Sequence, residues 1–293
     1  MEGVFNIDKP TGISSHDVVN RLRRLTKIRK IGHAGTLDPL ASGVMLLCIG
    51  RATRLIEYLV GHSKRYTATI RLGQTTGSYD AEGEIVQERP FTHIQLPDIQ
   101  KALAQFQGRI EQLPPMYSAI KKDGQPLYKL ARQGIEVERK PRQVTIHEIA
   151  IVDYSAPNLI INTNVSSGTY IRSLAHDLGE LLGCGGHITQ LRRTNVGTFT
   201  IENSVALDAL TSDNIGGHYL PMETAVHHLP RLHVSREEAE TLLNGRLIPQ
   251  NKPWPLDTVA AIFSNNQFWG IAISKENRWK AHKMIPPVTP NSE

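Results

Sequence analysis

The sequence predicts an α+β fold: one large mixed domain of strands and helices, then a small β-barrel-like module. Three observations carry this. An uninterrupted apolar run at 44–49 reads as a buried strand, while residues 65–72 alternate with period two. Between such strands lie amphipathic helical stretches with capping signals at their starts. Beyond Pro230 the pattern changes to one helix and three short strand-like runs.

Taken in chain order, Ser14 followed by Asp17 forms a capping box, and Val18, Leu22 and Leu25 share one helical face. The other faces carry Arg21, Arg23 and Arg24, with Lys27, Arg29 and Lys30 just beyond. That cluster reads either as a solvated helix surface or as an RNA-contacting one. After the strand at 44–49, residues 53–60 read as a short helix stopped by Gly61. In the strand at 65–72, Tyr66, Ala68, Ile70 and Leu72 face one side, and Thr67, Thr69 and Arg71 the other. Pro97 opens a helix with Ile99, Leu103 and Phe106 at helical spacing, ahead of Gly108.

Residues 114–142 have the composition of an exposed insertion, rich in Lys and Arg with prolines at both edges and a short helix expected at 127–133. The functional reading is a basic flap over an anionic substrate; the alternative is a plain surface loop. Strands resume at 144–152 and 159–165, and Thr169 is expected to cap a helix bearing Leu174, Leu178 and Leu181 up to Gly183. A strand near 196–201 completes the large domain. A boundary falls near Pro230, giving domains at 1–229 and 230–285 and a flexible tail at 286–293. In the second domain Ser235 and Glu238 make another capping box, and strands at 259–263, 268–274 and 279–284 follow, the first two joined by an Asn265-Asn266 turn.

Composition narrows the partner. With 33 Lys and Arg against 28 Asp and Glu, the net charge of +5 and pI near 9.2 favour an anionic partner. Two cysteines exclude a disulfide framework and suggest a reducing compartment. The opening Met1-Glu2-Gly3-Val4-Phe5 lacks a signal-peptide layout, and no apolar run approaches the roughly 20 residues a membrane helix needs. The expectation is a cytoplasmic protein with no membrane partner.

The densest signal is Gly32-His33-Ala34-Gly35-Thr36-Leu37-Asp38-Pro39-Leu40-Ala41-Ser42-Gly43. It sets one carboxylate, Asp38, in a glycine-punctuated loop at the mouth of a buried strand, where an acid is costly unless it is paired or used. Other chemistries fail on their signatures. Cys184 and His187 are the one Cys/His pair at ligand-like spacing, and no second pair lies nearby. The Gly32 loop lacks the Lys-Ser/Thr ending of a phosphate loop, and neither a dinucleotide fingerprint nor a nucleophile elbow occurs. The sequence therefore offers no cofactor and no metal site. What remains is Asp38, Tyr66 at a strand start, and Tyr170 with Arg172 at a helix start. A lone carboxylate can serve as nucleophile or base at a sugar centre, an arginine can keep it ionised, and a tyrosine can stack on a nucleobase.

The chain resembles the bacterial tRNA pseudouridine-55 synthases of the TruB type over nearly its whole length. The resemblance rests on Gly3-Val4-Phe5-Asn6-Ile7-Asp8-Lys9-Pro10-Thr11-Gly12, the complete Gly32–Gly43 motif, Lys64-Arg65-Tyr66, Gly168-Thr169-Tyr170-Ile171-Arg172 and Leu191-Arg192-Arg193-Thr194. It implies the pseudouridine synthase fold, a mixed and largely antiparallel sheet flanked by helices, with a short PUA-type domain at the C-terminus. It also implies isomerisation of the T-loop uridine at position 55 of tRNA, with Asp38 as the essential nucleophile or base and no cofactor. Tyr66 would pack on the uracil, Arg172 would pair with Asp38, Tyr170 and Leu191 would line the base pocket, and His33 would stack within the rearranged RNA loop. The partner implied is tRNA, through its T-arm and acceptor end; no obligate protein partner is expected, and the chain would act as a monomer.

Overall fold

A computed structural model describes residues 1–288 of the chain. Ten of its strands form one mixed sheet. Its middle is the strand Lys64–Leu72, paired antiparallel with Asn158–Val165 on one side and Gly186–Val196 on the other. The Gly186–Val196 strand in turn meets Ala41–Ile49 in parallel through residues 191–193 and 41–43, and Ala41–Ile49 pairs antiparallel with Gly3–Lys9. Arg142–Ser155 and Gly108–Gln112 extend the opposite end.

The apolar run at 44–49 lacks alternation because both sheet faces are covered there. Met45, Leu47 and Ile49 join a core with Phe5, Ile7 and the helices Ser15–Thr26 and Ile171–Leu181. Val44, Leu46 and Cys48 point the other way, into a second core with Val4, Leu55, Val226, Phe263 and Ile271. Residues 259–271 of that second core belong to a five-stranded C-terminal sheet, ordered Arg231–His233, Val259–Ser264, Gln267–Lys275, Arg278–Met284 and Ile248–Pro249. The C-terminal module thus covers the back of the catalytic sheet, and Lys283 Nζ ties it down by donating to the Arg54 carbonyl at 2.9 Å. Its own small core surrounds Trp279, with Trp254 edge-on at 5.3 Å.

Local signals act as expected at several places. Ser14 Oγ accepts from Asp17 N at 3.2 Å while Ser14 N donates back to the Asp17 carboxylate at 2.9 Å. Ser235 and Glu238 repeat the box at the helix Arg236–Leu243. Asn265 and Asn266 both take positive φ, 49° and 61°, as a tight hairpin turn of the sheet's own twist requires.

Other elements differ. Thr169 does not cap its helix: its hydroxyl turns back to the Ser166 carbonyl at 2.9 Å, and Tyr170 occupies the N-cap with no side-chain cap. Residues 53–60 divide into a 3-10 turn, Gly50–Leu55, and a short α-helix, Ile56–Val60, and Gly61 follows with an ordinary φ of −69°. The strand expected near 196–201 is instead the end of one long strand, Gly186–Val196, followed by the two-residue strand Phe199–Thr200 that pairs back on it. Within the insertion the helix is shorter than expected, Leu127–Ala131, and a small hairpin of Lys121–Lys122 with Gln125–Pro126 precedes it. The tail expected at 286–293 runs into residues 289–293, which lie outside the described residues.

Gly43 is where the sheet most needs a glycine. Its φ is 104°, and a Cβ there would sit 2.1 Å from the Arg193 carbonyl oxygen. Gly43→Ala is expected to lower stability by at least about 3 kcal/mol in thermal or denaturant unfolding, against about 1 kcal/mol for Gly245→Ala. Gly245 shares the positive φ but has open space around it; equal losses at the two sites would remove strand crowding as the cause.

Candidate active site

Asp38 is held by its neighbours before any side-chain chemistry begins. Ser15 Oγ both donates to the Leu37 carbonyl and accepts from Leu37 N, each at 2.8 Å. On the far side the Pro39 carbonyl accepts from Gly12 N at 2.8 Å, and Ala41 N donates to the Asp38 carbonyl at 3.1 Å. Lys9 reinforces this from beneath. It is fully buried, and its Nζ donates to the carbonyls of Pro10 and Ile13 at 2.8 Å each. Arg193, only 1% exposed, binds the strand carbonyl of Val44 at 2.7 Å through Nε and reaches the loop carbonyls of Thr36 and Gly35 at 3.3 Å. The loop is fixed to the helix after the first strand, to that strand's lysine and to the sheet.

Arg172 then fixes the carboxylate itself. The first turn of the helix Ile171–Leu181 presents it, and its guanidinium is 5% exposed. Nη2 lies 3.0 Å from Asp38 Oδ2 and donates to the Tyr117 carbonyl at 2.6 Å. Nη1 donates to the Ser78 carbonyl at 3.0 Å and to Asp80 Oδ2 at 3.2 Å. Asp80 is itself buried, and its other oxygen accepts from Ser78 Oγ at 2.5 Å and from Glu82 N at 3.1 Å. One guanidinium therefore spans two carboxylates and two carbonyls, using the fork geometry that lysine lacks.

The electrostatics oppose one another. Burial raises the pKa of Asp38, Arg172 pulls it down, and the Asp80 charge pushes it up again. Burial, then Asp80 and Asp38, raise Glu82 as well. Burial pushes Lys9 down to about 8 against the pull of Asp38. Lys64 is also pushed down to about 8, by burial and then by Arg193. Its Nζ is satisfied by the carbonyls of Val60 and His62 at 3.0 and 2.7 Å.

Asp38 opens into a cavity of about 240 Å³, lined by Tyr66, Tyr170, Arg172 and Leu191 together with Lys64 and Arg193. That is below the roughly 300–1,000 Å³ of drug-sized sites and suits a single planar base. Strand alternation aims Tyr66 into it on the same face as Ala68 and Ile70. Tyr170 is placed by Gln112, whose amide accepts from Tyr170 N at 2.7 Å and donates to its carbonyl at 2.9 Å; burial raises the phenol's pKa.

Five of the six residues singled out in the sequence thus meet in one cavity. His33 does not line it. It closes the short strand Ile31–His33 beside Leu47, and its Nδ1 is buried without a hydrogen-bond partner among the described residues. Asp80, Gln112 and Ser15 were not singled out as site residues. Asp80 carried the one available signal, an acid in the glycine-bounded turn 77–83. His187, half of the one ligand-spaced pair, has its Nδ1 3.1 Å from the Gln74 carbonyl, and Cys184 is buried.

A carboxylate held by a buried arginine at the floor of a base-sized pocket, on this mixed sheet, fits a pseudouridine synthase. The comparisons agree. Residues 23–171 match the TruB family pseudouridylate synthase N-terminal domain, and 172–227 match the tRNA pseudouridylate synthase B C-terminal domain. The chain is 43% identical over 289 residues to tRNA pseudouridine synthase B of Clostridium kluyveri, covering 97% of this chain and 100% of that one. It is 46% identical over 298 residues to that of Dehalococcoides mccartyi, covering 100% and 99%. Among solved structures, a Cbf5–Nop10–Gar1 complex matches with a TM-score of 0.74 at 26% identity, over 97% of this chain and 85% of the matched one. The chain belongs to the TruB family of pseudouridylate synthases, and it is an isomerase.

If the reaction draws on ionised Asp38, whose pKa burial raises, the acid limb of the pH–rate profile should lie above the ordinary carboxylate value of 3.8. Arg172→Gln removes the charge that favours the carboxylate. It should move the limb to higher pH and slow the reaction by about a hundredfold or more. Single-turnover rates across pH check both; a limb that stays in place uncouples Arg172 from Asp38.

Proposed function

We propose that this protein converts the T-loop uridine at position 55 of tRNA to pseudouridine without a cofactor, with Asp38 as the reacting group. The observation that carries the reading is the Arg172–Asp38 pair, 3.0 Å apart at the floor of a pocket walled by Tyr66, Tyr170 and Leu191. The uridine is extruded from the RNA stack, at a cost of a few kcal/mol. Asp38 attacks the ribose or takes a proton from it, and the C1′–N1 bond breaks. The freed uracil turns within the pocket and C5 bonds to C1′ as the ribose's bond to Asp38 breaks, or as the proton Asp38 took is returned; the C5 proton then leaves and N1 gains one. Atoms and charge balance within one nucleotide, so the chemistry requires no redox partner and no external nucleophile. Tyr66 stacks on the uracil while it turns and stands near enough to assist loss of the C5 proton. His33, outside the pocket, faces the RNA that surrounds the extruded base.

The rest of the chain supplies RNA affinity. Arg24, Lys27, Arg29 and Lys30 are exposed at and after the end of the Ser15–Thr26 helix. The insertion at 114–142 is a basic flap, and its Tyr117 carbonyl already rests on Arg172. The C-terminal sheet, from Arg231 onward, is a PUA-type module that takes the acceptor end of the tRNA. The enzyme works as a cytoplasmic monomer. Identities of 43% and 46% to full-length tRNA enzymes, against 26% to a chain from a Cbf5 complex, favour action on free tRNA over a guide-RNA-dependent assembly.

Wild-type protein incubated with a T-arm transcript and no guide RNA should give pseudouridine at one position by chemical mapping. Asp38→Asn should give none while binding tRNA within a few-fold of wild type. Product from the variant would displace Asp38 as the reacting group; loss of binding would make it structural. Neutralising Lys121 and Lys122, both exposed on the flap hairpin, should weaken tRNA binding and lower the slope of log K against log salt by about one to two. An unchanged slope would take the flap out of the RNA interface.

A further inference from the structure

The turn that delivers Asp80 carries a tyrosine that the chemistry above leaves unused. Tyr79 lies between the two residues that grip Nη1 of Arg172, Ser78 through its carbonyl and Asp80 through its carboxylate. It takes a φ of 64°, in the left-handed region that favours glycine. The backbone around it is tied to the sheet, since Ile188 N donates to the Tyr79 carbonyl at 3.1 Å and Ala81 N to the Ile188 carbonyl at 2.9 Å. Its ring is held separately. It lies flat on the imidazole of His176, with centroids 3.9 Å apart and planes 9° from parallel.

His176 follows Arg172 by four residues on the Ile171–Leu181 helix, so the two project from one helix face. Its Nδ1 is buried with no hydrogen-bond partner among the described residues. The stack is thus the contact that engages this ring, and burial favours its neutral form. The charged groups around it are Glu180 on its own helix, Arg89 and Arg139. Backbone bonds fix the turn to the sheet; Arg172 itself and, one helical turn further on, the stack fix it to the helix.

We propose that Tyr79 and His176 are a positioning pair, clamping the Ser78–Asp80 turn to the arginine's helix and thereby setting how Arg172 holds Asp38. This rests on Asp38 being the reacting group. The pair touches neither substrate nor reacting atoms and acts through Arg172 alone. Without the stack the turn and the helix would be joined through the arginine's own bonds alone, so Nη1 would hold its acceptors less rigidly and the guanidinium would orient Asp38 less well.

Tyr79→Gly tests this, because glycine takes φ of 64° without strain while losing the ring; since it also frees the backbone of the turn, His176→Leu, which leaves the turn untouched, is its control. Its single-turnover rate should fall about tenfold with KM within about twofold of wild type, and the acid limb should move to higher pH. Tyr79→Phe keeps the flat face and should restore both. His176→Leu should reproduce the loss, and the double variant should be no slower than either single one. A lower melting temperature with unchanged rate and limb in both ring-removing variants would make the stack merely structural and overturn the proposal. Equal loss in Tyr79→Phe would overturn it too, since a hydroxyl would then be the active part. Should Tyr79→Gly fail to fold, His176→Leu decides. If Asp38→Asn is inert while Tyr79→Gly behaves as wild type, the positioning role alone falls; if Asp38→Asn makes product, the reading beneath it falls as well.

Discussion

The architecture turns on one guanidinium shared between two carboxylates. A buried arginine with one acid would be a closed ion pair, its desolvation cost set against a single partner. Arg172 instead meets Asp80 on its inner side and Asp38 on its outer side, 3.2 and 3.0 Å away. Asp80 satisfies the buried charge permanently. Asp38 is then left with an arginine only half committed to it, which keeps the carboxylate oriented without closing its access to the pocket. Removing Asp80 would leave Asp38 as the one carboxylate partner of Arg172 among the described residues.

Four elements distant in sequence converge to make this possible, and each is held by backbone bonds. The Asp38 loop is pinned by Ser15 and Gly12 from the N-terminal segment, the Tyr170 backbone by Gln112, and the Asp80 turn by Ile188. Those anchors sit on the Ser15–Thr26 helix, on an outer strand and on the strand beside the sheet's middle. Tyr117 brings in the basic insertion, so its root touches the same guanidinium as Asp38. The insertion is thus joined to Arg172 by a direct 2.6 Å bond rather than through a long chain of packing.

The sequence made visible what local rules control. Capping boxes, the period-two strand at Tyr66 and the all-apolar run at 44–49 follow from side-chain spacing alone. Asp38 stood out because an acid beside Pro39 in a glycine-rich loop has few structural uses. Asp80 was hidden because its turn is ordinary locally and its value comes from Arg172, ninety-two residues away in sequence. Gln112 was equally silent, a polar residue at a strand end whose partner is another segment's backbone. Thr169 misled for the opposite reason. A threonine before a helix satisfies the capping rule, but its hydroxyl found a nearer acceptor at Ser166.

The cations around Asp38 settle a remaining question of charge. Lys9, Lys64 and Arg193 are all buried near one carboxylate, an arrangement that would be expensive if each were a substrate contact awaiting its partner. Yet Lys9 spends its donors on the carbonyls of Pro10 and Ile13, Lys64 on those of Val60 and His62, and Arg193 on those of Val44, Thr36 and Gly35. They act as polar struts that happen to be positive. Lys9 favours the charged form of Asp38, and burial in turn pushes both lysines down to about 8. The pocket is thereby furnished with positive charge while its wall is held by backbone bonds, and the ammonium groups are engaged elsewhere than at Asp38. That division, fixed cations around the pocket and one forked cation for the contact, leaves Asp38 oriented by Arg172 and open to the cavity.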